Sequence, residues 1–204
     1  GCARCVARGG APFTHMGQLY AEAGLEPRAV LRVDVDSGEA WPCNGTSDSS
    51  GTSRTSHAAA AALQRSVGTP LLVGPPAVRL ALPRGRKLFL GLAHFSLRPA
   101  GSVPARSFHV FYTFAARPPF EVLGLGRPIT LPSELRLTQV ATGLLLRGGA
   151  SGSATASASL LVSYAEHECE PRLASMPLAE VLADLELAGH DRDGGPPVES
   201  KDAD

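Results

Sequence analysis

Hydrophobic and polar positions alternate in short runs along most of this chain. Between residues 29 and 41, Val30, Arg32 and Asp34 alternate with Leu31, Val33 and Val35 before the turn residues Asp36, Ser37 and Gly38, a strand and hairpin signal. Residues 68–82 mix apolar runs with Gly-Pro breaks. GRKLFLGLAHFSL (85–97) and SFHVFYTFAA (107–116) read as strands, the second rich in aromatic and β-branched residues. Residues 120–131 hold two short strands, and residues 135–149 read as a strand, a bend at Thr142-Gly143 and a second strand. LLVSYAEHE (160–168) is a further strand, and the segment 174–189 ends in a short helix. Residues 58–67, AAAAALQRSV, fit a helical turn or a solvated insert. Strands broken by turn signals every 8–12 residues or so belong to an all-β sandwich, barrel or propeller.

The remaining stretches read as connections. Residues 1–18 are small and polar and read as irregular. Low-complexity inserts fall at 44–60 and 149–159, and the charged, Pro/Gly-rich tail 188–204 reads as disordered. Composition narrows the partners. Of the 204 residues, 19 are Lys or Arg and 19 are Asp or Glu, so net charge is zero and no basic block marks a nucleic-acid surface. Hydrophobics at 44% favour a globular protein over a disordered one. No apolar run approaches the roughly 20 residues that span a bilayer, and no signal-peptide pattern opens the chain, so no membrane span is expected. The first residue is Gly1 rather than Met, which fits a processed or partial chain. Asn44-Gly45-Thr46 is a glycosylation sequon, which carries weight only in the secretory pathway, the Golgi included. Cys2 and Cys5 form a CxxC, but no second CxxC or HxxxH follows at zinc-finger spacing, and no metal or cofactor is expected. There is no Gly-x-Ser-x-Gly elbow, and no Gly-x-Gly-x-x-Gly opens a helix after a strand. Both the nucleophilic hydrolase and the dinucleotide readings therefore fail.

The densest chemistry sits where the strand 160–168 ends: Glu166, His167, Glu168, Cys169 and Glu170 follow one another, with Pro171 beyond. Several motifs lead up to it in a fixed order. They are Gly74-Pro75-Pro76, then His94, then Pro119–Gly124 with Pro128, then Thr142-Gly143-Leu144, and last Tyr164–Glu168. This order, across residues 19–187, resembles the later blades of the five-bladed β-propellers that act on glycans, the mannoside phosphorylase group and its glycoside hydrolase relatives. The resemblance implies a partial propeller of four-stranded antiparallel blades, about three of them, with a short C-terminal helix. Ala165 stands where the family has Gly, and His167 where it has a small residue.

The resemblance also implies a site. Inner strands of a propeller end at a central funnel. The family's funnel carboxylate corresponds to Glu168, which would accept hydrogen bonds from sugar hydroxyls. The family's phosphate-holding histidine corresponds to His94. His109, beside aromatic residues, would flank a sugar-stacking platform. Substrate binding is thus expected at His94, His109 and Glu168, with Glu166 and Glu170 on a solvated strand-to-loop corner. The partner is a carbohydrate or glycoconjugate, with or without phosphate. No general acid stands out: Asp34, Asp36 and Asp48 read as turn or loop residues. A five-bladed propeller takes roughly 300 residues, so the general acid is expected outside this segment, which would be inactive alone. Two functions stay open. One is part of an enzyme transferring or cleaving glycosyl groups with inversion (a glycosidase, phosphorylase or glycosyltransferase). The other is a non-catalytic glycan-binding or scaffold propeller. An unrelated β-sandwich is the alternative fold.

Overall fold

The sequence SLLVSYAE places Leu160, Val162, Tyr164 and Glu166 on one side of an extended chain, and all four are buried while their neighbours are partly open. KLFLGLAHFSL behaves differently. From Leu88 to Ala93 it is buried without interruption, the mark of a strand covered on both faces. This contrast organises the architecture, seen in a computed structural model that describes residues 10–43, 53–82, 85–98, 105–133, 138–148, 157–167 and 170–187.

Three antiparallel sheets follow one another along the chain. The first is a meander of β1 (Ala11–His15), β2 (Gln18–Leu25), β3 (Arg28–Val33) and β4 (Ala40–Pro42). The central sheet contains β5 (Leu72–Val73), β6 (Val78–Ala81), β7 (Lys87–Leu97), β8 (Arg106–Ala115), β9 (Val122–Leu125) and, at its far edge, β13 (Glu186–Leu187). The third is β10 (Gln139–Arg147), β11 (Ser159–Glu166) and β12 (Glu170–Pro177). A 15-residue helix, α1 (Ser53–Val67), and a 6-residue helix, α2 (Leu178–Ala183), complete the described elements. The helix α1 ends at Gly68, whose positive φ of 67° lets its N–H return to the Gln64 carbonyl.

The fold is therefore all-β in character, built from antiparallel sheets. Only the first sheet has four strands, the others having six and three, and the described residues form no closed ring. Nor is it a two-sheet sandwich over one core, because the buried apolar residues separate into two clusters on opposite faces of the central sheet. Phe89, Ala93 and Phe95 of β7 join Val110, Tyr112 and Phe114 of β8 with Phe13, Tyr20, Leu25 and Val30 of the first sheet. The alternate residues Leu88, Leu90, Leu92 and Phe111 pack with Leu144, Leu160, Val162 and Tyr164 of the third sheet.

The first cluster is aromatic. Phe13 lies 5.0 Å from Phe89, 5.2 Å from Phe114 and 5.0 Å from Phe120, ring centroid to centroid. Within it sits a buried ion pair. Glu22 is bonded to Arg28, and Tyr112 donates to its other oxygen at 2.9 Å. The Arg28 guanidinium also donates to the Phe120 carbonyl at 3.0 Å and lies 4.8 Å from the Phe114 ring centre. Burial pushes the Glu22 carboxyl up, against the pull of Arg28 and Tyr112.

Four local expectations need correction. The stretch 1–18, read as irregular, contains β1. Its hairpin turns on Met16 and Gly17, both at positive φ, as a two-residue loop between right-twisted strands requires. The bend at Thr142-Gly143 does not divide two strands, since β10 is continuous and merely shifts register between Ala141 and Gly143. Of the two strands expected in 120–131, β9 is one, while the other is a single bridge between Ile129 and His109. Part of the insert 44–60 is helical, in α1. The sequon at Asn44, the CxxC and the tail 188–204 lie outside the described residues. Among the described residues no helix is long and apolar enough to cross a membrane.

Candidate functional site

The β7–β8 hairpin changes character along its length on the face turned toward the third sheet. Its opposed pairs run from Leu92 and Phe111, through His94 and His109, to Ser96 and Ser107. The apolar core thus gives way to imidazoles and then to hydroxyls, and the two serine oxygens lie 3.3 Å apart. His109 exchanges both backbone hydrogen bonds with Ile129, at 2.8 Å each. A strand residue points both groups to one side, so His94 and His109 form a non-hydrogen-bonded pair, the closer kind, with Cα atoms about 4.5 Å apart. Their ring centroids are 6.2 Å apart.

The third sheet meets this polar end through Gln139 and Glu166, which pair with each other across β10 and β11. The Gln139 backbone N–H donates to the Ser107 hydroxyl at 3.0 Å, joining the two sheets. The Gln139 side-chain amide donates to the Leu131 carbonyl at 3.2 Å. Tyr164 donates to the Pro132 carbonyl, and Ser133 donates to Glu166. Burial, then the Glu166 charge, pushes the Tyr164 phenol up and keeps it a donor. Arg172 completes the ring of contacts 3.5 Å from Glu166. Three side chains of the third sheet therefore pin the segment 131–133 across the end of the central sheet. Between them opens a cleft of about 400 Å³ lined by Arg106, Ser107, Phe108, Leu131, Ser133 and Gln139, among others.

The sequence candidates fall around this cleft unequally. His94 and His109 come together, but His109 is fully buried and neither lines the cleft. Burial lowers the His94 imidazole, and burial together with His94 pushes His109 down to about 4, so both are neutral at neutral pH. Glu168 lies outside the described residues. Its neighbours differ from each other. Glu170 is exposed, as expected, whereas Glu166 is not on a solvated corner. It occupies the inward register of Leu160, Val162 and Tyr164, and Ser133 and Arg172 offset the cost of burying its charge. His167, with φ of 54°, then starts the turn into β12.

Sequence reasoning did not find Arg106, Ser107, Ser133 or Gln139. Arg106, Ser107 and Gln139 are common polar residues at strand starts and Ser133 sits in the connecting segment 131–133, and only their meeting in space marks them. Unbroken alternation counted back from Leu144 would put Val140 inward and Gln139 out; the register shift between Ala141 and Gly143 reverses this and buries Gln139. Among the described residues no three His, Cys, Asp or Glu side chains cluster as metal ligands. Comparison with family models, with curated proteins and with solved structures yields no match to this chain.

Proposed function

We propose that this chain is the glycan-binding part of a carbohydrate-active β-propeller protein, its three sheets serving as successive blades. The observation that supports the reading is the cleft at the β7–β8 end. Hydroxyl, amide and guanidinium groups from Ser107, Ser133, Gln139 and Arg106 stand beside apolar Phe108 and Leu131. A sugar ring offers hydroxyls around its edge and C–H groups on its faces, and this lining matches both. Glu168 is assigned in this proposal to the sugar hydroxyls, and His94 and His109 to shaping the site from behind Ser107 rather than touching the ligand.

The segment's own role is binding. Glu166, a buried carboxylate beside the cleft, is committed to Ser133 and Arg172 and so is not a free acid. Glycosyl transfer or cleavage would draw its general acid from elsewhere in the protein. The alternative, a propeller that binds glycans without catalysis, differs only in lacking that acid. The test is calorimetric titration of the chain with neutral oligosaccharides, mannosides first. Gln139→Ala and Arg106→Ala should each weaken binding about tenfold, near 1.4 kcal/mol. Unchanged affinity in both variants would reject the cleft.

A further inference from the structure

We propose that the His94–His109 pair is an acid-operated joint: protonation of the two imidazoles parts the third sheet from the central one and loosens the segment 129–133 that walls the cleft. The inference concerns how the cleft is held shut, not what it holds, and its test uses no sugar.

Three features of the geometry carry it. First, the two imidazoles oppose each other on the face turned toward the third sheet, with ring centroids 6.2 Å apart. His109 is fully buried and His94 half-buried, so two positive charges at that spacing would repel with little water between them. Second, Nδ1 of His94 and both ring nitrogens of His109 are buried with no hydrogen-bond partner among the described residues. An imidazolium donates from both nitrogens, so a protonated His109 would bury a charge and two unmet donors. The packed elements offer no relief. Leu72 of β5 pairs with His94, and the inward residues Gln139, Ala141 and Leu144 of β10 carry no charge, nor do residues 129–133. The titratable and charged groups on the remaining facing strands are Tyr164 and Glu166 of β11 and Arg172 of β12. Tyr164 is bonded to Pro132, and Glu166 to Ser133 and Arg172. Third, the pair sits where the sheets are joined. Two residues from His109 on the same face, Ser107 accepts the Gln139 N–H at 3.0 Å. Ile129, bonded to the His109 backbone, begins the segment 129–133. Beyond the pair the core gives way to Ser96 and Ser107, so this end parts at the least loss of apolar contact.

The direction of the response follows. Burial holds both imidazoles below the ordinary histidine range, and His109, with His94 as the second cause, is pushed down to about 4. Above the ordinary value of about 6.5 the closed and open forms are both neutral. Below it, and down to the lowered closed-state values, only the open form takes up protons. The joint therefore weakens as pH falls through that window, by up to about tenfold per pH unit for each histidine.

The experiment takes the full chain from about pH 7.5 to about pH 4.5, a span that brackets the ordinary histidine value. NMR follows the imidazole nitrogens of His94 and His109 and the backbone amides of Ile129 and Gln139, with Phe13, Tyr20 and Val30 of the first sheet as the reference. The expected result is that the Ile129 and Gln139 signals move or broaden together with the two rings while the first sheet holds. His94→Gln cannot take the charge. Its unfolding constant, read by denaturant, should rise with acid less steeply than the parent's, by up to about tenfold per pH unit. If that variant does not fold, the ring and backbone titrations of the parent decide alone. The proposal is overturned if either ring titrates at or above the ordinary histidine value, if Ile129 and Gln139 stay still while the rings titrate, or if a folded His94→Gln chain loses stability with acid as steeply as the parent.

Discussion

The Tyr112 hydroxyl donates to the Glu22 carboxylate at 2.9 Å across 90 residues of sequence, tying the first sheet to the central one inside an aromatic core. Without that hydrogen bond a buried carboxylate keeps only Arg28, and desolvation weighs more heavily on it. Tyr112→Phe should therefore destabilise the chain by about 1–3 kcal/mol. Denaturant unfolding should show a lower midpoint with an unchanged slope. An unaltered midpoint would mean that the contact contributes nothing net.

Gly91 lies opposite Tyr112 in the β7–β8 pair, and a methyl group there would sit 2.3 Å from the tyrosine ring. The ring covers the glycine and cannot stay in place if Gly91 gains a side chain. Gly91→Ala is expected to cost about 1–3 kcal/mol through overpacking. A thermal midpoint equal to the parent's would show that the ring moves aside freely.

Glu166 is expected to hold the segment 131–133 through Ser133. Glu166→Ala should leave the sheets folded but loosen that segment. Hydrogen exchange at the amides of His109, Ile129 and Gln139, which bond in its neighbourhood, should then quicken by about tenfold or more. Exchange unchanged at all three would refute the latch.

Asp34 accepts the backbone N–H groups of Asp36 and Ser37 at 2.9 and 3.0 Å, and these, Ser37 foremost, hold its carboxyl below the usual aspartate range. A folded-state value below the unfolded one means that the contribution is present above the ordinary aspartate pKa. It is lost as pH falls through the lowered folded value. Carboxylate NMR should place the Asp34 midpoint below that of a model peptide, and Ser37→Gly should leave it depressed because the donors are backbone groups. A midpoint at or above the peptide value would contradict the turn geometry.

The strands were largely legible because burial follows alternation: Leu160, Val162 and Tyr164 could be read inward from the sequence alone. The hairpin at Met16-Gly17 was not, since Met is a poor signal for positive φ and the first strand is only 5 residues long with Pro12 inside it. The break expected at Thr142-Gly143 failed for a different reason. A bulge and a bend share the same glycine, and only the pairing with Ser163 and Tyr164 distinguishes them. Within the candidate site, His94 and His109 could be singled out as chemistry-bearing, but their direct opposition depends on the β7–β8 register. Arg106, Ser107, Ser133 and Gln139 are distant in sequence and ordinary in type, so no local pattern could assemble them. Glu22 was missed for the same reason: its partners Arg28 and Tyr112 become partners only through sheet packing.

The cleft beside Ser107 and Gln139 is proposed to take a sugar. Backbone NMR of the chain titrated with a manno-oligosaccharide tests it most directly. Saturable shifts are expected at Arg106, Ser107, Phe108, Leu131, Ser133 and Gln139, with little change in the first sheet. A folded chain that shows no saturable shift with any oligosaccharide of a neutral panel, or whose shifts cluster away from these residues, would contradict it.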